Sequence, residues 1–239
     1  METMIRARGL RKTYGALVAL DNFSLEVSKG SIVGILGPNG AGKTTALECM
    51  LGTKKPDRGE VAIFGKDPVK DRKSVFEKVG VQFQATGYPE KITVGELVEG
   101  TRVLYRKPAD SAELLRTFGL EDKRKAFVAA LSGGERQRLF VVLALLPDPE
   151  VVFLDELTTG LDPRARKEVW SCLLKQKERG RTIILTSHFM DEVEALCDEI
   201  RILMHGREVF AGTVSEAVAA TGCERFEDAY LQLTQEDEV

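Results

Sequence analysis

Residues 37–44 read Gly37-Pro38-Asn39-Gly40-Ala41-Gly42-Lys43-Thr44 and match the phosphate-loop pattern GxxxxGK[S/T]. The apolar run Ile32 to Leu36 precedes this stretch, and the helix-like segment Lys43 to Leu51 follows it. Glycines let the backbone curl so that successive N–H groups face phosphate oxygens, while the next helix directs its positive N-terminus to the same place. The stretch therefore predicts a strand, a phosphate-binding loop and a helix. A plain glycine-rich turn is the alternative interpretation.

Three side chains at the start of this helix have predicted contacts with a bound nucleotide. Lys43 can reach the β- and γ-phosphates, Thr44 can supply its hydroxyl to Mg²⁺, and Thr45 can add a phosphate contact. Kinases, GTPases and helicases also use such a loop. The rest of the chain must therefore decide the class of protein.

Further short apolar runs predict the sheet around the loop. Val61 to Phe64, Val79 to Phe83, Val151 to Leu154 and Ile183 to Leu185 have strand length, with helix-like segments between several of them. This alternation predicts an α/β fold, a P-loop NTPase core with a mainly parallel sheet. Near the N-terminus, the runs between residues 5 and 27 are interrupted at Tyr14-Gly15 and at Asp21-Asn22, which predicts antiparallel strands with turns at both places.

The strand signal disappears between about residues 85 and 131, where Val94 to Tyr105 and Ser111 to Phe118 suit helices. We therefore predict one nucleotide-binding domain over residues 1–239. Residues 1–84 and 132–239 form its ATPase core with the antiparallel part, and residues 85–131 form an inserted helical subdomain.

Composition narrows the class further. The chain has 239 residues, 43% of them apolar and 30% charged, which is typical of a globular domain. Its net charge of −3, with acids and bases interspersed, gives no reason to expect a nucleic-acid partner. No run approaches the roughly 20 apolar residues of a membrane-spanning helix, and no secretory signal is apparent, so we expect a cytosolic protein. Its four cysteines stand singly, which argues against zinc and disulfide frameworks.

An acidic pair follows the apolar run that begins at Val151. If this run is a buried strand, Asp155 and Glu156 emerge at its carboxyl end, where α/β sheets bind ligands. Asp155 then suits the Mg²⁺ shell, and Glu156 can polarise the water that attacks the γ-phosphate. Taken alone, such a pair is more often a helix cap or a turn.

A second motif is Leu131-Ser132-Gly133-Gly134-Glu135, which precedes another apolar helix. Ser132 can cap this helix, and the glycines leave its N–H groups open to a ligand. A well-capped helix without a ligand is the alternative.

Together these motifs, in this order and over nearly the whole chain, resemble the ATP-binding cassette (ABC) family, whose signature is the LSGGE stretch. The resemblance implies that Tyr14 stacks on adenine, that Gln84 senses Mg²⁺ and contacts the helical subdomain, that Asp162 belongs to a loop communicating across a dimer, and that His188 contacts the γ-phosphate. Gln82 is a rival to Gln84. Leu157 departs from the family, which usually has proline there.

The resemblance also implies partners and a mechanism. Two copies would close head to tail around two ATP molecules, with Ser132, Gly133 and Gly134 of one copy completing the site of the other. A separate transmembrane permease would hold the dimer on the cytoplasmic face of the cell membrane, with a short permease helix docked near Gln84. Residues 160–166 and 226–234 resemble bacterial drug and antibiotic exporters, which favours export.

Two other functions remain open at this point. The first is a soluble mechanical ATPase of the same family, acting on ribosomes or nucleic acid; such relatives usually carry two cassettes or a long coiled coil. The second is a regulatory subunit that binds ATP without turnover, which the intact Lys43, Asp155, Glu156 and His188 disfavour.

Overall fold

The computed structural model describes residues 2–83 and 87–235, which form two sheets with helices packed around them. The strands are β1 (Thr3–Tyr14), β2 (Leu17–Ser28), β3 (Ile32–Leu36), β4 (Arg58–Ile63), β5 (Val79–Gln82), β6 (Val151–Asp155), β7 (Thr182–Ser187), β8 (Glu199–Met204) and β9 (Arg207–Gly212). The α-helices are α1 (Lys43–Met50), α2 (Arg72–Phe76), α3 (Val94–Arg102), α4 (Ser111–Thr117), α5 (Gly133–Leu145), α6 (Pro163–Glu178), α7 (Met190–Leu196), α8 (Val214–Thr221) and α9 (Phe226–Leu233).

The larger sheet has six strands in the order β5-β6-β7-β3-β8-β9. All neighbours are parallel except β9, which runs antiparallel to β8, and this confirms the predicted mainly parallel α/β core. Because β6, β7 and β3 are adjacent and parallel, their carboxyl ends meet at one edge of the sheet. Segments that are far apart in sequence are thereby brought to one place.

The central strands are buried on both faces, as expected for a parallel sheet covered on each side. Alternate side chains of β6 point to opposite layers: Val152 and Leu154 pack with α5 and α6, whereas Val151 and Phe153 pack with α1 and the smaller sheet. The sheet is therefore the middle layer of the molecule.

The smaller sheet is antiparallel in the order β2-β1-β4, which confirms the predicted N-terminal antiparallel part. The turn predicted at Asp21-Asn22 is wrong, because β2 continues through both residues. Asn22 has φ of 59°, and the pairing advances by one extra residue on β2 between Leu20 and Phe23. Asparagine tolerates this conformation, so the two residues form a bulge that the flanking buried side chains hold within the strand.

Helices α3 and α4 lie in the segment predicted to be helical, and each begins with a side-chain cap. Thr93 and Glu96 form a reciprocal capping box on α3, and Asp110 caps α4. Their buried residues join the same hydrophobic cluster as α5 and one face of the larger sheet. The division into core and helical subdomain remains a prediction. Among the described residues, no helix combines the length and the apolar character needed to cross a bilayer.

Candidate functional site

The loop between β3 and α1 is shaped by glycines at places where a side chain cannot fit. Gly37 has φ of 152°, and a Cβ there would lie 2.3 Å from the carbonyl oxygen of Leu203. Gly42 has φ of 104°, and its Cβ would lie 2.3 Å from the carbonyl oxygen of Ala19. Both close approaches require glycine, so the two positions fix the path of the loop.

The N-terminus of α1 opens onto this loop without a side-chain cap. Gly42 occupies the N-cap position and offers no side-chain oxygen to the first N–H groups of the helix. The α5 and α6 N-termini, by contrast, are capped by Ser132 and Asp162. The α1 N-terminus therefore has backbone N–H donors that no side chain caps, and it carries the positive end of the helix dipole. Both features favour the binding of an anion.

Lys43 places a buried positive charge in the same loop. Its side chain is 4% exposed, and Nζ donates to the carbonyl oxygens of Gly37 at 2.8 Å and Pro38 at 3.1 Å. Nζ also lies 3.5 Å from Oε1 of Glu156. A phosphate can replace the carbonyl contacts because all three ammonium hydrogens can rotate towards new acceptors.

Asp155 ends β6 and is hydrogen-bonded to residues of two neighbouring elements. It is 1% exposed, and it accepts from Thr186 Oγ1 of β7 at 2.6 Å. Thr44 Oγ1 of α1 lies 3.3 and 3.2 Å from its two carboxylate oxygens. The hydroxyl and carboxylate predicted to bind a metal therefore lie side by side.

This donor set fits Mg²⁺, which prefers hard oxygen ligands and usually takes one or two carboxylates together with substrate phosphates and waters. Within the described ranges 2–83 and 87–235, no cluster of three or more His, Cys, Asp or Glu residues could hold a metal. Thr44 and Asp155 are therefore suited to hold Mg²⁺ with help from a nucleotide, and unsuited to hold it alone.

Glu156 occupies the position directly after β6 in a strained backbone conformation. Its φ is 47°, and its N–H is held by Thr186 through Oγ1 at 2.9 Å and the carbonyl oxygen at 3.2 Å. A non-glycine residue with positive φ costs energy and persists where its surroundings enforce it. In this conformation the Glu156 carboxylate lies beside the Lys43 ammonium.

His188 lies on the loop after β7, beside the same carboxylate. Its Nδ1 is 3.8 Å from Oε1 of Glu156, too long for a hydrogen bond, and its ring packs on Phe189 with centroids 4.2 Å apart. The side chain is 34% exposed, so the imidazole is reachable from outside. A group between Glu156 and His188 could contact both.

A cavity of about 590 Å³ connects these groups to the N-terminal sheet. Its mouth is formed by Tyr14 and Leu17, which are 44% and 65% exposed although both are apolar or aromatic. The Lys12 ammonium lies 5.6 Å from the Tyr14 ring centroid. An exposed aromatic face beside a phosphate-binding loop suits a purine base. The cavity lining comprises Tyr14, Leu17, Ala19, Asn39, Gly40, Gly42, Lys43, Thr44, Thr45, Glu156, Thr159 and His188.

The signature residues lie in a different place. Ser132, Gly133 and Gly134 line a second cavity of about 390 Å³, together with Gly160, Leu161 and Asp162 of the loop before α6. Ser132 Oγ accepts from Glu135 N at 3.2 Å, and Glu135 Oε2 accepts from Ser132 N at 2.9 Å, so the predicted cap is present. The hydrogen bond from the Ser132 N–H and the nearby Lys123 ammonium hold the pKa of the Glu135 carboxyl below its usual range.

The structure thus brings Tyr14, the phosphate loop, Glu156 and His188 together around one cavity. It places Ser132, Gly133, Gly134 and Asp162 around another. Among the residues that the structure describes, none that lines the second cavity lines the first. The predicted Gln84 lies outside the described residues. Its rival Gln82 is buried, and its Nε2 donates to the carbonyl oxygen of Phe83 at 2.7 Å.

Sequence reasoning missed Thr186, which contacts both acidic residues. The signal was present, because Thr186 stands two residues before His188 on a strand whose end was already assigned to the site. Leu17 and Ala19 were also missed. They follow the Tyr14-Gly15 turn, and only the folded sheet brings them to the loop.

Comparison with known proteins points to one family. Residues 20–159 match the family model described as ABC transporter. The chain is 37% identical over 231 residues to the daunorubicin resistance ATP-binding protein DrrA3 of Streptomyces coeruleorubidus, covering 95% of this chain and 73% of that protein. It is 39% identical over 227 residues to the Nod factor export ATP-binding protein I of Ralstonia nicotianae, covering 92% and 71% respectively.

Solved structures agree with this comparison. An ATP-binding subunit of an ABC transporter superposes with a TM-score of 0.87 at 28% identity, covering 97% of this chain and 100% of the other. A bacterial ABC transporter cassette solved as a dimer superposes with a TM-score of 0.79 at 27% identity, covering 88% of this chain and 98% of the other.

Proposed function

This chain belongs to the ABC transporter family of ATP-binding proteins, and from that premise we propose that it hydrolyses Mg·ATP within a head-to-tail dimer that drives a separate membrane permease. Each active site would combine the loop of one copy with the signature helix of the other. The direction that we propose is export.

The first cavity, lined by the phosphate loop, is called the nucleotide cavity below, and the second, lined by Ser132, Gly133 and Gly134, the signature cavity. One observation carries the proposal: among the described residues, these two cavities have no lining residue in common. The first offers Lys43, Glu156 and His188 to the phosphates, yet it offers no group from α5. The second presents Gly133 at the start of α5, where a Cβ would meet nothing closer than Leu161 Cδ2 at 4.0 Å. A phosphate bound in the first cavity of one copy can be covered by the second cavity of another copy. The similar cassette that was solved as a dimer supports the pairing of two copies.

The residues of the first cavity, together with Asp155 beside Thr44, would divide the chemistry between them. Lys43 would exchange its carbonyl acceptors for β- and γ-phosphate oxygens and stabilise the negative charge that develops there. Thr44 and Asp155 would hold Mg²⁺, which when bound neutralises phosphate charge. Glu156 would orient the attacking water and accept its proton, and His188 would contact the γ-phosphate.

Export from the cell is supported by the names of two relatives, and contact with a membrane partner by exposed apolar side chains. One relative is a drug-resistance ATP-binding protein, and another is named for Nod factor export. In the helical segment, Val103, Leu104 and Phe127 are 69%, 75% and 52% exposed. The adjacent pair Val103 and Leu104 suits contact with a partner, and we assign that partner as the permease. The alternative, a soluble mechanical ATPase, has no comparable support.

The purified chain should hydrolyse ATP only with Mg²⁺ present, and its specific activity should rise with protein concentration because a site needs two copies. Phosphate release measured over a wide concentration series, with EDTA as the control, tests both parts. A specific activity that is constant down to concentrations at which light scattering shows monomers would contradict the shared site.

The role in transport is tested from membranes. The chain should co-purify from detergent-solubilised membranes with an integral membrane protein, and its ATPase activity should change when that protein is reconstituted with it. Recovery with ribosomes alone would instead support the mechanical ATPase.

Replacing Tyr14 by alanine should raise the KM for ATP by about tenfold with little change in kcat, because base stacking contributes roughly 1–3 kcal/mol to binding. Tyr14→Phe is the matched control and should keep a KM close to that of the wild type, since the ring face is retained. Initial-rate kinetics measure both. An unchanged KM in Tyr14→Ala would remove Tyr14 from the adenine site.

A further inference from the structure

Glu192 of α7 is a buried carboxylate that the proposed chemistry does not use. Its side chain is 2% exposed and accepts hydrogen bonds from three side chains. Ser187 Oγ donates at 2.6 Å, Thr158 Oγ1 at 2.9 Å and Trp170 Nε1 at 3.0 Å. Burial raises the pKa of the Glu192 carboxyl, and the three donors oppose that shift. A carboxylate is rarely buried so completely without a specific purpose.

Two of the three donors lie next to the reacting side chains, one on the loop after β6 and one at the end of β7, whereas Trp170 belongs to α6. Thr158 lies two residues after Glu156, and Ser187 lies directly before His188. Both donor residues are 1% exposed, so water does not compete for these bonds. Ser187 Oγ also accepts from Phe189 N at 3.0 Å, which fixes the backbone on the far side of His188. One carboxylate thus ties the loop after β6 to the end of β7.

We propose that Glu192 is a positioning residue that sets the distance between Glu156 and His188 by holding the loop after β6 and the end of β7 to one carboxylate. Glu192 touches neither reacting side chain; it acts through Thr158 and Ser187. The inference rests on the proposed ATP hydrolysis and adds a residue to it.

The distances around Glu156 show why the rate of hydrolysis should be sensitive to small displacements of Glu156 and His188. Oε1 of Glu156 lies 3.5 Å from Lys43 and 3.8 Å from His188, so a water and a phosphate must fit among three groups already close together. Loop displacements of about 1 Å can cost about 100-fold in rate while leaving substrate binding intact. Lys43 begins α1, and the loop glycines lie between β3 and α1; Glu192 does not contact this segment through these three hydrogen bonds. Nucleotide affinity should therefore be insensitive to Glu192.

Substituting Glu192→Gln tests the role with little change of volume. The amide can satisfy Thr158 and Trp170 through its oxygen, but its NH₂ group then faces Ser187 Oγ, whose proton loses its acceptor. We expect kcat to fall about 10- to 100-fold, as for other outer-shell partners of active-site groups, with the KM for ATP within about twofold of the wild type. Rates are normalised to chains that bind Mg·ATP, so a misfolded fraction cannot mimic a lower kcat.

Glu208→Gln is the matched control. Glu208 is a carboxylate with a side chain 28% exposed whose pKa, like that of Glu192, is raised by burial, and it lies on the edge strand β9 with its Oε2 3.6 Å from Nε of Arg201. The same chemical change there should leave kcat and KM unchanged. Trp170 is the chain's single tryptophan, so its emission spectrum reports the cluster and should shift in Glu192→Gln but not in Glu208→Gln.

Thr158→Val provides a second route if Glu192→Gln folds poorly. It removes the hydrogen bond from Thr158 to Glu192 at nearly constant side-chain shape, and it should also lower kcat without raising KM. Wild-type kcat in Thr158→Val, or in a folded Glu192→Gln, would overturn the positioning role, as would a fall in kcat matched by Glu208→Gln. A wild-type chain that does not hydrolyse ATP would overturn the proposed function itself, which is a different result.

Discussion

Replacing Glu156 by glutamine should lower ATP turnover by roughly 100- to 10,000-fold while leaving ATP binding intact, because an amide cannot accept the proton of the attacking water. Glutamine preserves the volume of a side chain that lies 3.5 Å from Lys43 and 3.8 Å from His188, so the cavity keeps its shape. The closed dimer should then persist with ATP, because the step that releases it is blocked.

Three measurements on Glu156→Gln test this expectation. Phosphate release gives turnover, equilibrium dialysis with Mg·ATP gives binding, and light scattering gives the dimer that accumulates with ATP. Glu150→Gln is the matched control: Glu150 precedes β6, is 38% exposed and pairs with Lys78, so turnover should not change. Near-normal turnover in Glu156→Gln would exclude Glu156 as the general base.

The parts of the fold that sequence could predict are those with local causes. The run from Ile32 to Leu36 is apolar throughout because both faces of β3 are covered, and its bounds were predicted as the structure has them. The loop that follows depends on glycines whose neighbours in space forbid a Cβ, and such glycines are visible in the sequence. Lys43, Thr44 and Asp155 could be singled out as candidates for the same reason, as each stands at the end of a recognisable strand or the start of a helix.

The remaining parts depend on contacts between segments that are distant in the chain. Asp21-Asn22 has the composition of a turn, yet pairing with β1 makes it a bulge, because Leu20 and Phe23 on either side are buried. Glu192 could not be singled out, since its partners Thr158 and Trp170 reach it only when α6 and α7 pack together. The signature residues of the proposed site would come from a second copy, so the fold of one chain does not bring them to the nucleotide.

The shared site itself can be tested by mixing two inactive variants. Lys43→Ala removes the buried ammonium from the nucleotide cavity and should lower turnover by roughly 100- to 1000-fold, as for other groups that stabilise developing charge. Gly133→Asp places a carboxylate at the first position of α5. No atom within 4 Å other than Leu161 Cδ2 opposes a Cβ there, and an acidic residue at a helix N-terminus is favourable, so this variant should fold. Its charge should repel a γ-phosphate presented by the other copy.

Each variant alone should be inactive, but a mixture should regain activity. In a mixed dimer, the intact loop of the Gly133→Asp copy faces the intact signature of the Lys43→Ala copy, so one of the two sites is whole. Random pairing at equal amounts makes half of the dimers mixed, so about a quarter of the wild-type sites should be complete in a symmetric head-to-tail dimer. Single-turnover phosphate release counts these sites without requiring both to cycle. If every site were built within one chain, the mixture would stay as inactive as its components, because neither variant holds a complete set.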